Sequence, residues 1–178
     1  GITLAQALIQ ITRQTSSVNT TSRQALLDAV ACADRAGIGA VKLYYMVGVP
    51  GETDEQALRI ADEISELERA FPRLRFTVSV GPLTPKPHTE LALAEAPAPS
   101  VVKARLRKLS AALRRDTRAR VQLGSARWGA VQTVLSRGGR ELTPVLLASE
   151  EASAGEFLSA LRDAGLSLEH YLGGGSDA

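Results

Sequence analysis

Residues 43–53 of this chain read Leu-Tyr-Tyr-Met-Val-Gly-Val-Pro-Gly-Glu-Thr, and this stretch decides the fold class. The apolar run from Val41 to Val49 is typical of a buried strand, and its Gly-Val-Pro-Gly end is typical of a tight turn. A polar cap and a helical pattern follow at once. The stretch therefore predicts a βα unit of a parallel α/β protein, and ligands bind at the carboxyl ends of the strands in such folds.

Strand and helix patterns alternate on both sides of this stretch. Alternating or apolar runs predict strands at residues 1–5, 40–47, 74–80 and 120–123. Cap residues predict that helices begin at Thr21, Thr53 and Ser100, and shorter helices are expected at 126–135 and 154–164. A consecutive α/β series implies right-handed crossovers on a parallel sheet. So few strands do not close a barrel, so the expected fold is α/β, a partial (half) TIM-type barrel with a small carboxyl-terminal α/β subdomain.

Composition and length set the expected organisation. The 178 residues are 44% hydrophobic and 22% charged with a net charge of +2, which is ordinary for a soluble globular protein and gives no general attraction to nucleic acid or membrane. A stretch rich in Ala and Pro at 91–100 predicts a boundary, with the barrel part at 1–96, a subdomain at 97–172 and a disordered tail at 173–178.

The chain opens at Gly1 directly on a strand pattern, so we expect it to be a fragment of a longer protein. Its single cysteine, Cys32, allows no disulfide framework within the chain and favours a reducing, cytoplasmic setting. No apolar stretch approaches the roughly 20 residues of a membrane span, and no signal peptide is recognisable.

Four motifs in order carry a resemblance to a known family. They are GITLA at 1–5, VKLYYMVGVPGETDE at 41–55, VSVGPLTPKPHT at 78–89 and VLSRGGRELTPVLL at 134–147. The series resembles the carboxyl-terminal half of radical SAM enzymes, and in particular proteins that pair a cobalamin-binding-type domain with a radical SAM Fe-S oxidoreductase domain. The resemblance leaves a gap at 6–20, where relatives carry a Pro-Glu-Ala-Gly-Ser string, and no residue is carried over there.

The resemblance implies S-adenosylmethionine and an iron–sulfur cluster as the cofactors of the full-length protein. Reductive cleavage of S-adenosylmethionine in this family gives a 5′-deoxyadenosyl radical that abstracts hydrogen from a substrate. The cluster is held there by a Cys-x-x-x-Cys-x-x-Cys loop, and Cys32 stands alone here. We therefore expect this chain to hold no cluster and to be inactive alone. The implied partner is the N-terminal half of the same protein. The substrate and any role of cobalamin stay open.

The resemblance also implies which residues line the cofactor. The strand end at Met46–Gly48 would run beside the adenine of S-adenosylmethionine, with Pro50, Gly51 and Glu52 in the turn that follows. Glycine lets a backbone approach a flat ring closely. The alternative is that these residues form only the turn that a βα connection needs. The strand exits near Gly48 and Gly81 are expected to carry the function.

Two further groups are candidate contacts for a substrate or an anion. Lys86 and His88 stand among the prolines of Pro-Lys-Pro-His-Thr, at the mouth of the expected barrel, although a plain rigid surface loop is the favoured alternative. Arg137 and Arg140 flank two glycines and have the donors to grip an anion. No metal ligand set and no nucleophile–base constellation is recognisable, so no catalytic residue is assigned.

Positions 103–120 are strongly basic: they contain eight Lys and Arg residues and a single acidic residue, Asp116. This face predicts either a non-enzymatic module that binds RNA or another anionic partner, or an ordinary helix packed near the acidic helix 54–68. No aromatic residue is interleaved to stack on bases, which favours the second alternative. Trp128 is expected in the core. An exposed sheet edge would lead the fragment to self-associate.

Overall fold

The computed structural model describes residues 12–13, 23–149 and 152–173. Four strands in these ranges form one open parallel sheet in the order β1-β2-β3-β4: β1 (Thr12–Arg13), β2 (Ala40–Val47), β3 (Arg75–Pro82) and β4 (Arg120–Leu123). The helices are α1 (Arg23–Arg35), α2 (Asp54–Ala70), α3 (Pro99–Asp116), α4 (Ala126–Arg137), α5 (Thr143–Ala148), α6 (Ala154–Asp163) and α7 (Leu168–Leu172), with a 3₁₀ turn at Arg140–Leu142. The mixed α/β class predicted from the sequence is confirmed. The strand predicted at 1–5 and the cap predicted at Thr21 lie outside the described residues.

The helices between the strands pack on one face of the sheet. The burial of β2 and β3 alternates, and their buried residues share one core with helices α1, α2 and α3. This core is formed by Val41, Leu43, Tyr45 and Val47 of β2, by Phe76, Val78 and Val80 of β3, and by helix residues including Leu26, Val30, Ile60, Ile64, Leu106, Leu109 and Leu113. Sequential strand order with crossovers of one hand places consecutive helices on the same side of a sheet. The sheet is therefore covered on one side.

The other side of the sheet carries mostly polar, half-buried side chains. We call this surface the polar face, and it is formed by Lys42, Tyr44 and Met46 of β2, Thr77, Ser79 and Gly81 of β3, and Gln122 of β4. Strand register places Tyr44, Ser79 and Gln122 in one row. The Lys42 ammonium lies 4.8 Å from the centre of the Tyr44 ring, so the two residues form a cation–π contact on this face.

The carboxyl-terminal helices form a second core. Val134, Val145, Phe157 and Leu161 are among its buried residues, which come from α4 to α7. Helix α3 and strand β4 belong to the first sheet and first core instead. The second core thus begins at α4, and the domain boundary expected at residue 96 stays a prediction. Of the predicted tail 173–178, Gly173 closes α7 and residues 174–178 lie outside the described range.

Local signals at helix starts agree with the structure in one case and differ in another. The predicted capping box is present, since the Thr53 hydroxyl accepts from the Gln56 N–H at 3.2 Å and the Gln56 side chain accepts from the Thr53 N–H at 2.9 Å. The sequence predicts Ser100 as the cap of α3, but this helix begins at Pro99, whose fixed φ suits the first turn.

Trp128 is 46% exposed, so its predicted place in the core is wrong. No helix of the described ranges is long and apolar enough to cross a bilayer.

Candidate functional site at the carboxyl edge of the sheet

The segments that leave β2, β3 and β4 come together at one edge of the sheet. The Leu83 N–H donates to the Val47 carbonyl at 2.7 Å, and the Gly124 N–H donates to the Val80 carbonyl at 2.7 Å. These bonds continue the strand pairing past the ends of the strands. The turn after β2, the loop after β3 and the start of α4 are therefore neighbours, as the parallel topology requires.

The turn after β2 depends on two glycines with positive φ. Gly48 has φ +89° and Gly51 has φ +77°. The Glu52 N–H donates to the Val49 carbonyl at 2.9 Å, so residues 49–52 form a β-turn. Pro50 at its second position and a glycine with positive φ at its third fit the type II class. Pro50 and Gly51 are exposed, whereas Gly48 is buried.

Gly48 is covered by the chain itself. A Cβ atom at this position would lie 2.9 Å from Cγ of Pro97 and 3.7 Å from a methyl carbon of Val102. The space that the missing side chain leaves is thus occupied by the Pro97 ring. The close approach that the sequence predicted for a flat ligand ring is made here by a proline of the segment leading to α3.

Glu52 holds this turn against helix α3. Its side chain is 1% exposed, and its carboxylate accepts from the Gly48 N–H at 2.6 Å and from the Arg105 guanidinium at 2.7 Å. Arg105 also donates to the Glu52 carbonyl at 3.0 Å. Charge-assisted bonds of this kind are the stronger class of hydrogen bond. Glu52 and Arg105 therefore fix the end of β2 relative to α3.

Asp54 extends this ion pair into a network. Its carboxylate accepts from the Arg105 Nε at 3.0 Å and from the Lys108 ammonium at 2.5 Å. These bonds, first that of Lys108 and then that of Arg105, hold the pKa of Asp54 below its ordinary value. The first turn of α2 thus pairs with the basic face of α3, as one of the two sequence alternatives expected.

Several other basic residues of 103–120 are also paired within the chain. The Arg115 guanidinium lies 2.7 Å from the Asp116 carboxylate, and the Arg118 Nε lies 3.7 Å from the Glu68 carboxylate, which also accepts from the Arg118 backbone N–H. RNA binding by this helix stays a prediction, and these ion pairs reduce the positive charge that would attract RNA phosphates.

Met46 and Gly81 stand side by side on the polar face next to this edge. They are partners in the register of β2 and β3. Met46 is half-buried, and a Cβ atom built on Gly81 would meet no atom within 4 Å. The polar face therefore has open space beside an apolar side chain at the point where both strands end.

The turn after β2 also borders a small cleft of about 230 Å³. Besides residues 48–52, its walls are Glu95, Pro97 and Arg105. This volume lies below the range of roughly 300–1,000 Å³ that is usual for small-molecule sites. This cleft alone is therefore small for an organic ligand.

Lys86 and His88 lie in the exposed loop after β3. His88 has φ +61°, an uncommon backbone conformation for a residue with a side chain. The Thr89 hydroxyl donates to the Lys86 carbonyl at 2.8 Å and closes this loop locally. Both side chains are exposed at the carboxyl edge, so a substrate contact stays a prediction. Among the described residues no three His, Cys, Asp or Glu side chains are grouped to hold a metal ion.

Arg137 joins two segments of the chain. Its guanidinium donates to the carbonyls of Tyr171, Leu172 and Gly173 and to those of Ala92 and Ala94. Burial lowers the pKa of Arg137 from its ordinary value. Arg140 is exposed. Anion binding by Arg137 and Arg140 stays a prediction, and Arg137 is engaged by backbone oxygens in this structure.

Sequence reasoning missed two residues that shape the site, Pro97 and Arg105. Both are distant from the turn in sequence, and only the packing of α3 on α2 brings them to it. The excess of basic residues on α3 over the acidic first turn of α2 was the available signal for Arg105. No local signal identifies the contact of Pro97 with Gly48.

Comparison with known proteins finds similarity to an archaeal protein. The chain is 30% identical over 148 residues to an uncharacterized protein of Methanocaldococcus jannaschii. The aligned part covers 83% of this chain and 32% of the relative, so the chain spans about a third of the length of that protein. No family model and no solved structure matches the chain.

Proposed function

We propose that this chain is the later part of a radical SAM barrel, which completes an S-adenosylmethionine and substrate pocket and is inactive by itself. The proposal depends on the polar face. Barrel strands point one set of side chains inward and pack the other set on outer helices. The described sheet has the same division, with helices on one side and Tyr44, Ser79 and Gln122 on the other.

Two further observations support a partial barrel. The strand order runs in sequence with no reversal, whereas sheets covered by helices on both faces change direction at a switch point. The relative from Methanocaldococcus jannaschii is also about three times as long as the matched part. A protein of that length has room for the strands that would close a barrel.

The residues present fit one of the two implied cofactors. The iron–sulfur cluster does not fit, because Cys32 is the only cysteine and lies exposed on α1. In the proposed enzyme the cluster belongs to the preceding part of the protein. S-adenosylmethionine fits better, since Met46 and the open space at Gly81 offer a flat ring an apolar contact on the polar face.

The turn residues have a supporting role in this proposal. The Gly48–Glu52 turn, fixed by Arg105, sets where β2 ends and therefore where Met46 stands. Glu52 itself is buried under Arg105 and orients the turn without reaching the polar face. We assign Gly48, Pro50, Gly51 and Glu52 to shaping the pocket and Met46 to contact with the cofactor.

The test uses the longer protein that the proposal requires, including the part that would hold the cluster. That part should contain a Cys-x-x-x-Cys-x-x-Cys loop. With dithionite as the one-electron reductant, the anaerobically reconstituted protein should cleave bound S-adenosylmethionine to methionine and 5′-deoxyadenosine, whose added hydrogen comes from a substrate or the buffer. Gly81→Leu fills the open space and should weaken binding of S-adenosylmethionine by at least about tenfold. Gly39→Leu is the matched control, because its Cβ also meets no atom within 4 Å but it lies at the amino end of β2. Absence of the cysteine loop would refute the proposal.

A further inference from the structure

A second and larger cleft lies at the carboxyl end of β4. We call it the β4 cleft, with a volume of about 630 Å³ between the start of α3 and the start of α4. Ser100 and Lys103 line one side, Ser125 and Arg127 the other, and Leu123 lies between them. Small-molecule sites typically measure roughly 300–1,000 Å³, so the size suits a small organic ligand.

The charge of the β4 cleft is positive and uncompensated. Lys103, Arg107 and Arg127 line it, and no carboxylate does. Within the described ranges none of these three forms an ion pair, although Arg105 and Lys108 of the same helix are paired. Three like charges in a concave site concentrate a positive potential that attracts anions.

The remaining walls suit a ligand with both a charged and an apolar part. The side chain of Ser125 caps α4 by accepting from the Trp128 N–H. Arg127 belongs to the first turn of α4, so the backbone amides of this turn lie beside it. Leu106 and Leu123 supply apolar surface, and Leu123 is 42% exposed. No aromatic ring is among the lining residues, so the cleft lacks the stacking platforms of single-strand nucleic-acid sites.

We propose that the β4 cleft binds the phosphate group of a small phosphorylated molecule. Arg107 supplies a planar guanidinium group of the kind that matches two phosphate oxygens, and Lys103 adds a second cation. The exposed Arg127 side chain, whose guanidinium lies beside Gly155 of α6, turns to reach the phosphate on binding. The organic part of the ligand lies against Leu106 and Leu123. The proposal uses only residues of this chain and does not depend on S-adenosylmethionine binding.

The experiment titrates the ¹⁵N-labelled 178-residue chain with phenyl phosphate and follows the backbone amides and arginine Nε–H groups by NMR. Saturable shifts should cluster at residues 100–107 and 123–127, with a dissociation constant on the order of 1 mM. Phenol, which has the same ring without the phosphate, should give no such shifts. Inorganic phosphate should shift the same signals with lower affinity, because it lacks the apolar contact.

Variants decide whether the cleft is responsible. Arg107→Gln with Arg127→Gln should weaken phenyl phosphate binding at least about tenfold. Arg114→Gln removes an exposed arginine of the same helix outside the cleft and should change affinity by less than about twofold. If the double variant does not fold, the arginine Nε–H shifts of the unaltered chain still locate the ligand.

Three results would overturn the proposal. The first is the absence of saturable shifts up to about 10 mM phenyl phosphate. The second is an equal loss of affinity in Arg114→Gln and in the cleft variant. The third is single-stranded RNA that binds more tightly than phenyl phosphate and is weakened by all basic substitutions alike, since that pattern indicates an extended nucleic-acid surface.

Discussion

The guanidinium of Arg105 lies 2.7 Å from the carboxylate of Glu52 and joins helix α3 to the turn that follows β2. The two side chains are 12% and 1% exposed, so water does little to screen their attraction. The pair connects residues 53 positions apart in the chain. The carboxyl edge of the sheet is therefore held by a partly buried ion pair in addition to apolar packing.

Removal of Arg105 should be costly. Arg105→Ala leaves the Glu52 carboxylate buried without its cation, and loss of one partner of a buried pair typically costs about 3–5 kcal/mol. We expect the free energy of unfolding to fall by about 3 kcal/mol in urea titrations. Arg114→Ala, an exposed site on the same helix, should cost less than about 0.5 kcal/mol. Equal losses in both variants would contradict the proposed importance of the pair.

Substitutions at Gly48 and Gly51 can distinguish the cost of backbone strain from the cost of steric overlap. Both have positive φ, but a Cβ at Gly48 would lie 2.9 Å from Pro97, whereas one at Gly51 meets no atom within 4 Å. Gly51→Ala should cost about 1–2 kcal/mol for backbone strain alone. Gly48→Ala should cost clearly more, and the excess should shrink in a Pro97→Ala background. An excess that persists without the proline ring would show that Pro97 is not the cause.

Asp54 should make the stability of the chain depend on acid pH. Its pKa in the folded state lies below the ordinary value of 3.8, because Lys108 and Arg105 donate hydrogen bonds to the ionised carboxylate. The ionised form therefore stabilises the fold above pH 3.8, and that contribution is lost as the pH falls through the lowered pKa.

The measurement is urea unfolding at several pH values between neutral and strongly acid. Asp54→Asn should be less stable than the unaltered chain at neutral pH and should lose less stability on acidification. Asp163→Asn removes an exposed carboxylate of α6 that is in none of the ion pairs of the described residues, and it is the control for the loss of one surface charge. Parallel pH curves for Asp54→Asn and the unaltered chain would rule out this role of Asp54.

Arg137 should stabilise the contact between the segment before α3 and the end of α7. Its guanidinium bonds to carbonyls of both, and the Ala96 N–H also donates to the Leu172 carbonyl at 2.8 Å. Arg137→Ala should lower the free energy of unfolding by about 2–3 kcal/mol and speed hydrogen exchange at Ala96. Arg137→Lys should retain only part of this stability, since a lysine ammonium cannot reach both groups of carbonyls as the two Nη atoms of arginine do. Arg140→Ala, at an exposed neighbouring site, should leave exchange at Ala96 unchanged.

Local sequence patterns account for most of the regular structure. The alternation at 74–80 predicts β3, the apolar run predicts β2, and the stripe from Val102 to Leu113 predicts the buried side of α3. The Thr53 capping box is also readable, because both partners lie within one helical turn. These features depend on neighbours a few residues apart, and the sequence contains that information directly.

Long-range packing explains what the sequence did not reveal. The role of Gly48 depends on Pro97, and that of Glu52 depends on Arg105, each about fifty residues away. The boundary predicted at the Pro-rich stretch 91–100 is a composition signal, yet this stretch covers the turn after β2 and leads into a helix of the first core. A composition shift alone does not reveal that a loop is a wall of a site.

The strand order has a further consequence for how the chain folds. Each strand pairs with the strand next to it in sequence, and α2 and α3 pack on each other and on the strands they connect. Each parallel pairing nevertheless joins residues more than 30 positions apart, such as Thr12 with Tyr44, because a helix must be crossed between strands, and such pairing slows folding. During synthesis, each of the strands β2, β3 and β4 is made after the neighbour that precedes it in the sheet. The sheet can thus grow one unit at a time during synthesis, without waiting for a distant segment of the chain.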